Sequence, residues 1–314
     1  MDTLRTNHGM QFYGGTPRIA PIVAPASPVK LLFVTSVRDV GGDDSNGRII
    51  RTAEGDRYME GTVERTIHAT RSGGPLHGIL EVAGIVTDDL ERDMQRLGDV
   101  FPVRPAQGRP WIHPLDLQTP DGGLVASPAF THSIPSGFRS LPHSDVAGRT
   151  EQKRDWEEQV LALADRLGAN VIVSDHLMMR IAHMIDESHG WFGRVLNIHP
   201  AITKPDHPCR FPGKTPTRDA IAQAAQRETF TGATLHIVDA EIDHGPILAD
   251  IAATPVFASD TPMDLRYRNY QQGKLPLFID GMRHYVRNIL PHIDSLDLSA
   301  PLPPFRHVPV SAAA

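Results

Sequence analysis

The segment Val195-Leu-Asn-Ile-His-Pro200 sets an amide and an imidazole two residues apart at the end of a short apolar run. Alternate residues of a strand share a face, so a strand here presents Asn197 and His199 together. Ligands of open α/β sheets bind at the carboxyl ends of strands, where this run stops. An amide N–H beside an imidazole suits acyl transfer: the amide stabilises a developing oxyanion and the imidazole moves a proton. Such preorganised donors lower a barrier by roughly 3–4 kcal/mol. A second segment, Thr231 to Pro246, runs from an apolar stretch into an acidic loop with Asp239, Glu241 and Asp243, closed by Gly245-Pro246. Asp243 is a candidate to orient His199 or a water, and a carboxylate there is expected to raise the imidazole's pKa. Plainer readings stand beside these. Asn197 and His199 can satisfy each other at a buried strand end, and Asp243 can be a turn residue. His236 lies opposite Leu235 and Ile237 and reads as structural. His199, His207 and Cys209 lack paired-ligand spacing and offer one thiolate, so no metal site is expected.

The elements that must carry these residues follow from pattern. Val29–Val37, Leu80–Val86, Asn170–Ser174 and Val195–Ile198 read as strands, the first buried and parallel. Thr234–Val238 alternates, and Ile247–Val256 is its antiparallel or mixed-sheet partner. A helix is expected near Tyr58–Ala69. Trp156, Val160, Leu163 and Leu167 fall on one helical face, with Gly168 suited to the C-cap. Pro216 to Gln226 reads as a helix with Thr215 as N-cap. Asp260 or Thr261 caps a further helix, which Pro276 must kink or break. Beyond it Phe278, Ile279, Met282, Tyr285, Val286 and Ile289 form a stripe for the core or a dimer surface. Tyr267 and Tyr270 likewise read as core or dimer surface. Strands alternating with helices give an α/β class with a mostly parallel twisted sheet flanked by helices. The expected organisation is a Pro-rich arm over 1–28, a domain over 29–290 with an irregular insert at 88–150, and a Pro-rich tail over 291–314.

The 314 residues carry 31 Lys+Arg against 37 Asp+Glu, a net charge of −6, which argues against a basic nucleic-acid binder. One cysteine excludes an intramolecular disulfide framework. No apolar run is long enough to span a bilayer and no signal peptide is evident, so a cytoplasmic protein without membrane partners is expected. The 27 Pro residues exceed an average share, and there are 16 His.

Asn-Ile-His-Pro, followed by Thr-Gly-Ala-Thr-x-His-x-Val-Asp-x-x-x-Asp-x-Gly-Pro-Ile with its second Asp 46 residues beyond the Asn, resembles the formyltransferase family that uses 10-formyltetrahydrofolate. Val171-Ile-Val-Ser-Asp-His-Leu-Met-Met-Arg-Ile181 is similar to that family's folate-side strand and loop. The resemblance covers roughly 155–290. It implies a Rossmann-like formyltransferase fold, 10-formyltetrahydrofolate as co-substrate, a small-molecule amine acceptor and no metal. It further implies that Asn197, His199 and Asp243 are catalytic. The folate would be held around Met179, Arg180, Ile181, Ala182, Asp239 and Glu241. Ser36, Asp39, Asp43 and Thr203 are the candidates for the acceptor side. Asp39, Asp43 and Asp44 in the loop after the first strand would repel a phosphate, although an ordinary solvated loop reads equally well. The run Ala201 to Gly213 is longer than the family's. Within the family, the chain resembles the hydroxyornithine formyltransferases of siderophore assembly; a deformylase or a transferase acting on another amine, such as an amino sugar, is the alternative. A monomer or homodimer is expected.

Overall fold

The computed structural model describes residues 27–36, 47–98, 101, 103–104, 108–177, 179–300, 302 and 305. Its strands and helices are β1 (Val29–Thr35), β2 (Arg48–Thr52), β3 (Gly55–Met59), α1 (Thr62–Thr70), β4 (Leu80–Thr87), α2 (Glu91–Leu97), β5 (Val103–Arg104), β6 (Arg109–Pro110), β7 (Thr131–Ser133), α3 (Val146–Leu167), β8 (Val171–Asp175), β9 (Val195–His199), α4 (Pro216–Ala224), β10 (Thr229–Ile237), β11 (Ile247–Val256), α5 (Pro262–Asn269) and α6 (Leu275–His284). Seven strands form one sheet in the order β11-β10-β9-β8-β1-β4-β7. The neighbours from β9 to β7 run parallel, while β10 is antiparallel to both β9 and β11. The α/β class with a mostly parallel sheet is thus the observed one.

The sheet is covered on both faces, which is why β1 and β8 are near-continuous apolar runs. On one face, Trp156, Val160, Leu163 and Ala164 of α3 pack against Leu32, Val34, Val86 and Ile172. On the other, α1 and α6 cover Leu31, Phe33, Val173, Leu196 and Ile198. Each large apolar side chain so buried contributes about 1.5–3 kcal/mol. The stripe Phe278, Ile279, Met282, Tyr285, Val286 and Ile289 lies in this second cluster, within the chain's own core.

Several expectations need correction. Tyr58 lies in β3, part of a hairpin with β2, and the helix starts at Thr62 behind Gly61. The 88–150 stretch is not only an insert, because β7 adds an edge strand to the main sheet beside β4. Asp145 caps α3 by accepting from the Gly148 N–H at 2.9 Å, so that helix begins ten residues before Trp156. Thr215 occupies the N-cap position of α4 without a capping bond; its hydroxyl donates to Asp219 at 3.0 Å. Pro276 does not break its helix. A π turn over Tyr270–Lys274 precedes it, and it sits in the first turn of α6, where a missing N–H costs little. The stretch from 291 begins inside a 3-10 turn, Leu290–Ser295, and Leu296, Leu298, Leu302 and Phe305 pack on the core. Thr261 does cap α5, in a reciprocal box with Asp264, and Gly168 closes α3 at φ 64°.

Asn269 joins the sheet to α5. Its Nδ2 donates to the Pro200 carbonyl at 2.9 Å and the Gly232 carbonyl at 2.8 Å, and its Oδ1 accepts from Thr254 at 2.9 Å. Gly232 sits at a bulge in β10, where an added Cβ would lie 1.6 Å from the Ile251 carbonyl oxygen. Gly232→Ala is expected to destabilise the protein by about 2–4 kcal/mol. Urea unfolding checks this, and an unchanged midpoint would contradict the close approach.

Candidate active site

Asn197 and His199 lie on the face of β9 that α3 covers, since the intervening Ile198 belongs to the opposite cluster. The antiparallel register of β10 sets His236 directly opposite Asn197. Val238 to Pro246 then leave the strand and fold back over that face. Gly245 permits the return: a Cβ there would stand 1.8 Å from the Ile237 carbonyl oxygen. The fold-back places Asp243 over the two strand residues, in a left-handed conformation with φ 56° that Asp tolerates better than most residues.

One carboxylate oxygen gathers the site. Asp243 Oδ1 is 3.3 Å from Asn197 Nδ2, 3.4 Å from His199 Nδ1 and 3.8 Å from His236 Nε2. Its Oδ2 accepts from the Gly213 N–H at 2.9 Å. His236 lies 3.0 Å from the Ile237 carbonyl at Nδ1 and 3.0 Å from Asn197 Nδ2 at Nε2. The carbonyl requires a donor at Nδ1, so in the neutral ring Nε2 accepts from Asn197. Both N–H groups of the Asn197 amide thus have partners, the longer bond being the one to Asp243. His199 Nε2 faces the Phe211 carbonyl at 2.9 Å and therefore carries the ring proton. Its bare Nδ1 points at Asp243.

Burial is the largest influence on His199 and drives its pKa down. Asp243 and the Phe211 carbonyl oppose this, His236 and Lys274 add to it, and the net position is below the ordinary value of 6.5. Asp243 does raise the imidazole, as expected, but desolvation of a nearly enclosed ring outweighs one carboxylate at 3.4 Å, so the net shift is downward. Burial also pushes Asp243 upward, but its neighbours His236, His199 and the Gly213 N–H outweigh it, leaving the carboxylate below its ordinary range. The resting pair is a neutral imidazole beside an anion.

A cleft opens onto this cluster. Ser174, Leu177, Met179, Arg180, Ile181, Asn197, His236, Val238, Asp239, Glu241, Ile242 and Asp243 line it. Of the residues singled out in the sequence, Met179, Arg180, Ile181, Asp239 and Glu241 meet Asn197 and Asp243 there. Ala182 does not line the cleft; its side chain is exposed and its N–H turns back to Glu157 on α3. Thr203 lies outside the cleft as well, buried, with its N–H on Thr234 Oγ1 at 3.1 Å. Ser36 bonds Asp88 at the ends of β1 and β4. Asp39 and Asp43 lie outside the described residues. Cys209 is buried among Ala201, Phe211 and Ala220.

Sequence reasoning missed three contributors. His236 belongs to the site; the β9–β10 register, once known, places it there. The Phe211 carbonyl and the Gly213 N–H come from the long run after His199. That run is pinned by Thr234, whose hydroxyl donates to the Ala201 carbonyl at 2.9 Å. Behind the sheet ends, the fully buried Lys274 bonds Asp175 at 2.7 Å and Tyr270 at 3.1 Å. Burial pulls the Lys274 ammonium down, and Asp175 with Tyr270 outweighs it, holding it above its ordinary value. Among the described residues, Glu60, Glu64 and His68 place ligand-type atoms within 4.8 Å of one another. Arg65 and His68 pair with Glu60, and Tyr58 bonds Glu64.

Residues 126–279 match the family model described as formyl transferase. Over 130 residues the chain is 41% identical to phosphoribosylglycinamide formyltransferase of Mycobacterium tuberculosis, in two strains; the match covers 41% of this chain and 55% of the relative. The chain therefore spans about half the length of the curated relatives it matches. The solved structure of PvdF of pyoverdin biosynthesis, an N10-formyltetrahydrofolate-dependent formyltransferase, is 26% identical with a TM-score of 0.72, covering 82% of this chain and 99% of that one.

Both lowered pKa values carry the same sign for stability. The unfolded chain protonates His199 at higher pH than the folded one does, so stability present above 6.5 is lost as pH falls through the folded value. Asp243 adds a loss at lower pH, from its unfolded value of 3.8 downward. Urea unfolding of wild type should show stability falling from pH 7.5 to pH 5, and His199→Gln should flatten that slope. An equal slope in the variant would contradict the buried neutral imidazole.

Proposed function

We propose, from the premise that this chain belongs to the formyl transferase family, that it transfers a formyl group from 10-formyltetrahydrofolate to a small amine or N-hydroxyamine. The observation that carries the reading is the convergence of Asn197, His199 and His236 on one buried carboxylate oxygen at the floor of the cleft. The cleft suits a flat heterocycle with polar edges: Leu177, Met179, Ile181, Val238 and Ile242 offer apolar walls, and the polar groups converge at one end.

The residues divide the work. Bound 10-formyltetrahydrofolate supplies an acyl carbon attached to an aryl nitrogen that can leave. Asn197 Nδ2 gives up its 3.3 Å bond to Asp243 and donates to the acyl oxygen as that oxygen gains charge. His236 keeps the amide plane fixed through the other N–H. The attacking nitrogen forms the new N–C bond and sheds a proton, which Asp243, lining the cleft, relays to His199 Nδ1. The imidazolium then has both ring N–H groups facing acceptors, Asp243 and the Phe211 carbonyl, so the protonated form fits the surroundings that the neutral form only half satisfies. The same proton passes to the leaving nitrogen as the old C–N bond breaks. Asp243 is left ionised after each relay and balances the imidazolium charge.

N5-hydroxyornithine is our proposed acceptor. It is supported by the sequence resemblance to hydroxyornithine formyltransferases and by the likeness to PvdF over nearly all of that chain. Incubation with 10-formyltetrahydrofolate and N5-hydroxyornithine should yield a formyl hydroxamate. Asn197→Ala and His199→Ala should each lower kcat by about 10²–10³ with little change in KM. Failure of wild type to formylate this compound or any of a panel of amino sugars and amino acids would refute the transferase reading.

A further inference from the structure

Residues 179–186 belong to no helix or strand, and Met179, Arg180 and Ile181 among them line the cleft. A side chain on α3 grips the backbone of this segment. Glu157 follows Trp156, which anchors that helix to the sheet, and is itself buried to 1% exposure. Glu157 Oε2 accepts from the Met184 N–H at 2.8 Å and the Ala182 N–H at 3.1 Å. Oε1 lies 3.3 Å from the Ala182 N–H and 3.7 Å from Lys153 Nζ. Every neighbour that addresses this carboxylate is a donor. An acceptor-only group is therefore required, and an amide would turn an NH2 toward a backbone N–H. The two gripped residues directly follow Met179, Arg180 and Ile181, which line the cleft. Ile181 and Met184 are themselves buried in the α3-side cluster.

We propose that Glu157 is a positioning residue for the co-substrate: its buried carboxylate replaces a strand neighbour and sets the path of the backbone that faces the folate. This rests on the folate reading given above. The side chain does not line the cleft, and its partners are Ala182, Met184 and Lys153 and not Asn197, His199 or Asp243, so its effect falls on co-substrate binding and not on the chemical step. A buried carboxylate that merely filled space would change the melting temperature alone.

Steady-state kinetics and tetrahydrofolate titration of Glu157→Gln separate these cases. The expected result is a rise of about ten-fold in KM for 10-formyltetrahydrofolate and in Kd for tetrahydrofolate, with kcat and the amine's KM within about two-fold. Hydrogen exchange at the Ala182 and Met184 amides should quicken in the same variant. Lys153→Met, which leaves both amide bonds in place, should leave folate binding within about two-fold. An unchanged Kd in folded Glu157→Gln, or an equal change in every kinetic parameter, overturns the proposal. Where Glu157→Gln does not fold, Glu157→Asp, which keeps the charge and shortens the reach, is judged on the same readouts. If wild type binds no tetrahydrofolate, the folate reading fails, while the two amides still report whether Glu157 holds the loop.

Discussion

A single carboxylate oxygen, Asp243 Oδ1, is the point on which the site depends. Within 3.8 Å it meets an amide and two imidazoles from two neighbouring strands. For that oxygen to be there, β10 must lie antiparallel to β9 in the register that pairs His236 with Asn197. The chain must then reverse over its own sheet at Gly245, and the 201–213 run must bring Gly213 beneath the other oxygen. Each of these is a backbone condition, set by packing before any chemistry begins. The resulting environment is dry enough to keep His199 neutral and polar enough to keep Asp243 charged. A base that is neutral at rest, with an anion in place to balance its charge once protonated, suits proton uptake during acyl transfer.

Behind the strand ends, buried charge is paired. Lys274 and Asp175 lie fully enclosed behind the strand ends, with Tyr270 joined to both Lys274 and His176. Tyr270 and Lys274 are brought to one side by the π turn ahead of Pro276, so the turn that precedes this proline also shapes the wall behind the site. Removing one member of such a pair typically costs about 3–5 kcal/mol, because the other is left buried without compensation. Asn269 performs a neutral version of the same task, tying the carbonyl after His199 to β10 and β11.

Much of the sheet was legible because its signal is local. The strands β1, β4, β8 and β9 each carry a short run of mostly apolar residues, and Gly168 and Thr261 mark their helices by conformational preference alone. The first ten residues of α3 were not, since Val146 to Asp155 is polar on every side and carries no apolar period. The β2–β3 hairpin was missed for a related reason: Ile49 and Tyr58 pair on its exposed face, so burial does not pattern the strands. Asn197, His199 and Asp243 could be singled out by residue type and by family resemblance. His236, the Phe211 carbonyl and the Gly213 N–H could not, because each acts through register or backbone position that residue type does not encode. The sign of the His199 shift needed its burial, a tertiary quantity.

The proposed role of this cluster is to pass a formyl group from a folate to an amine nitrogen and not to water. Following the label from 10-[13C]formyltetrahydrofolate by NMR, with and without N5-hydroxyornithine, tests it most directly. The carbon is expected on the hydroxyornithine nitrogen at a rate that depends on the amine, with little free formate. Release of [13C]formate at the same rate whether or not the amine is present would contradict it.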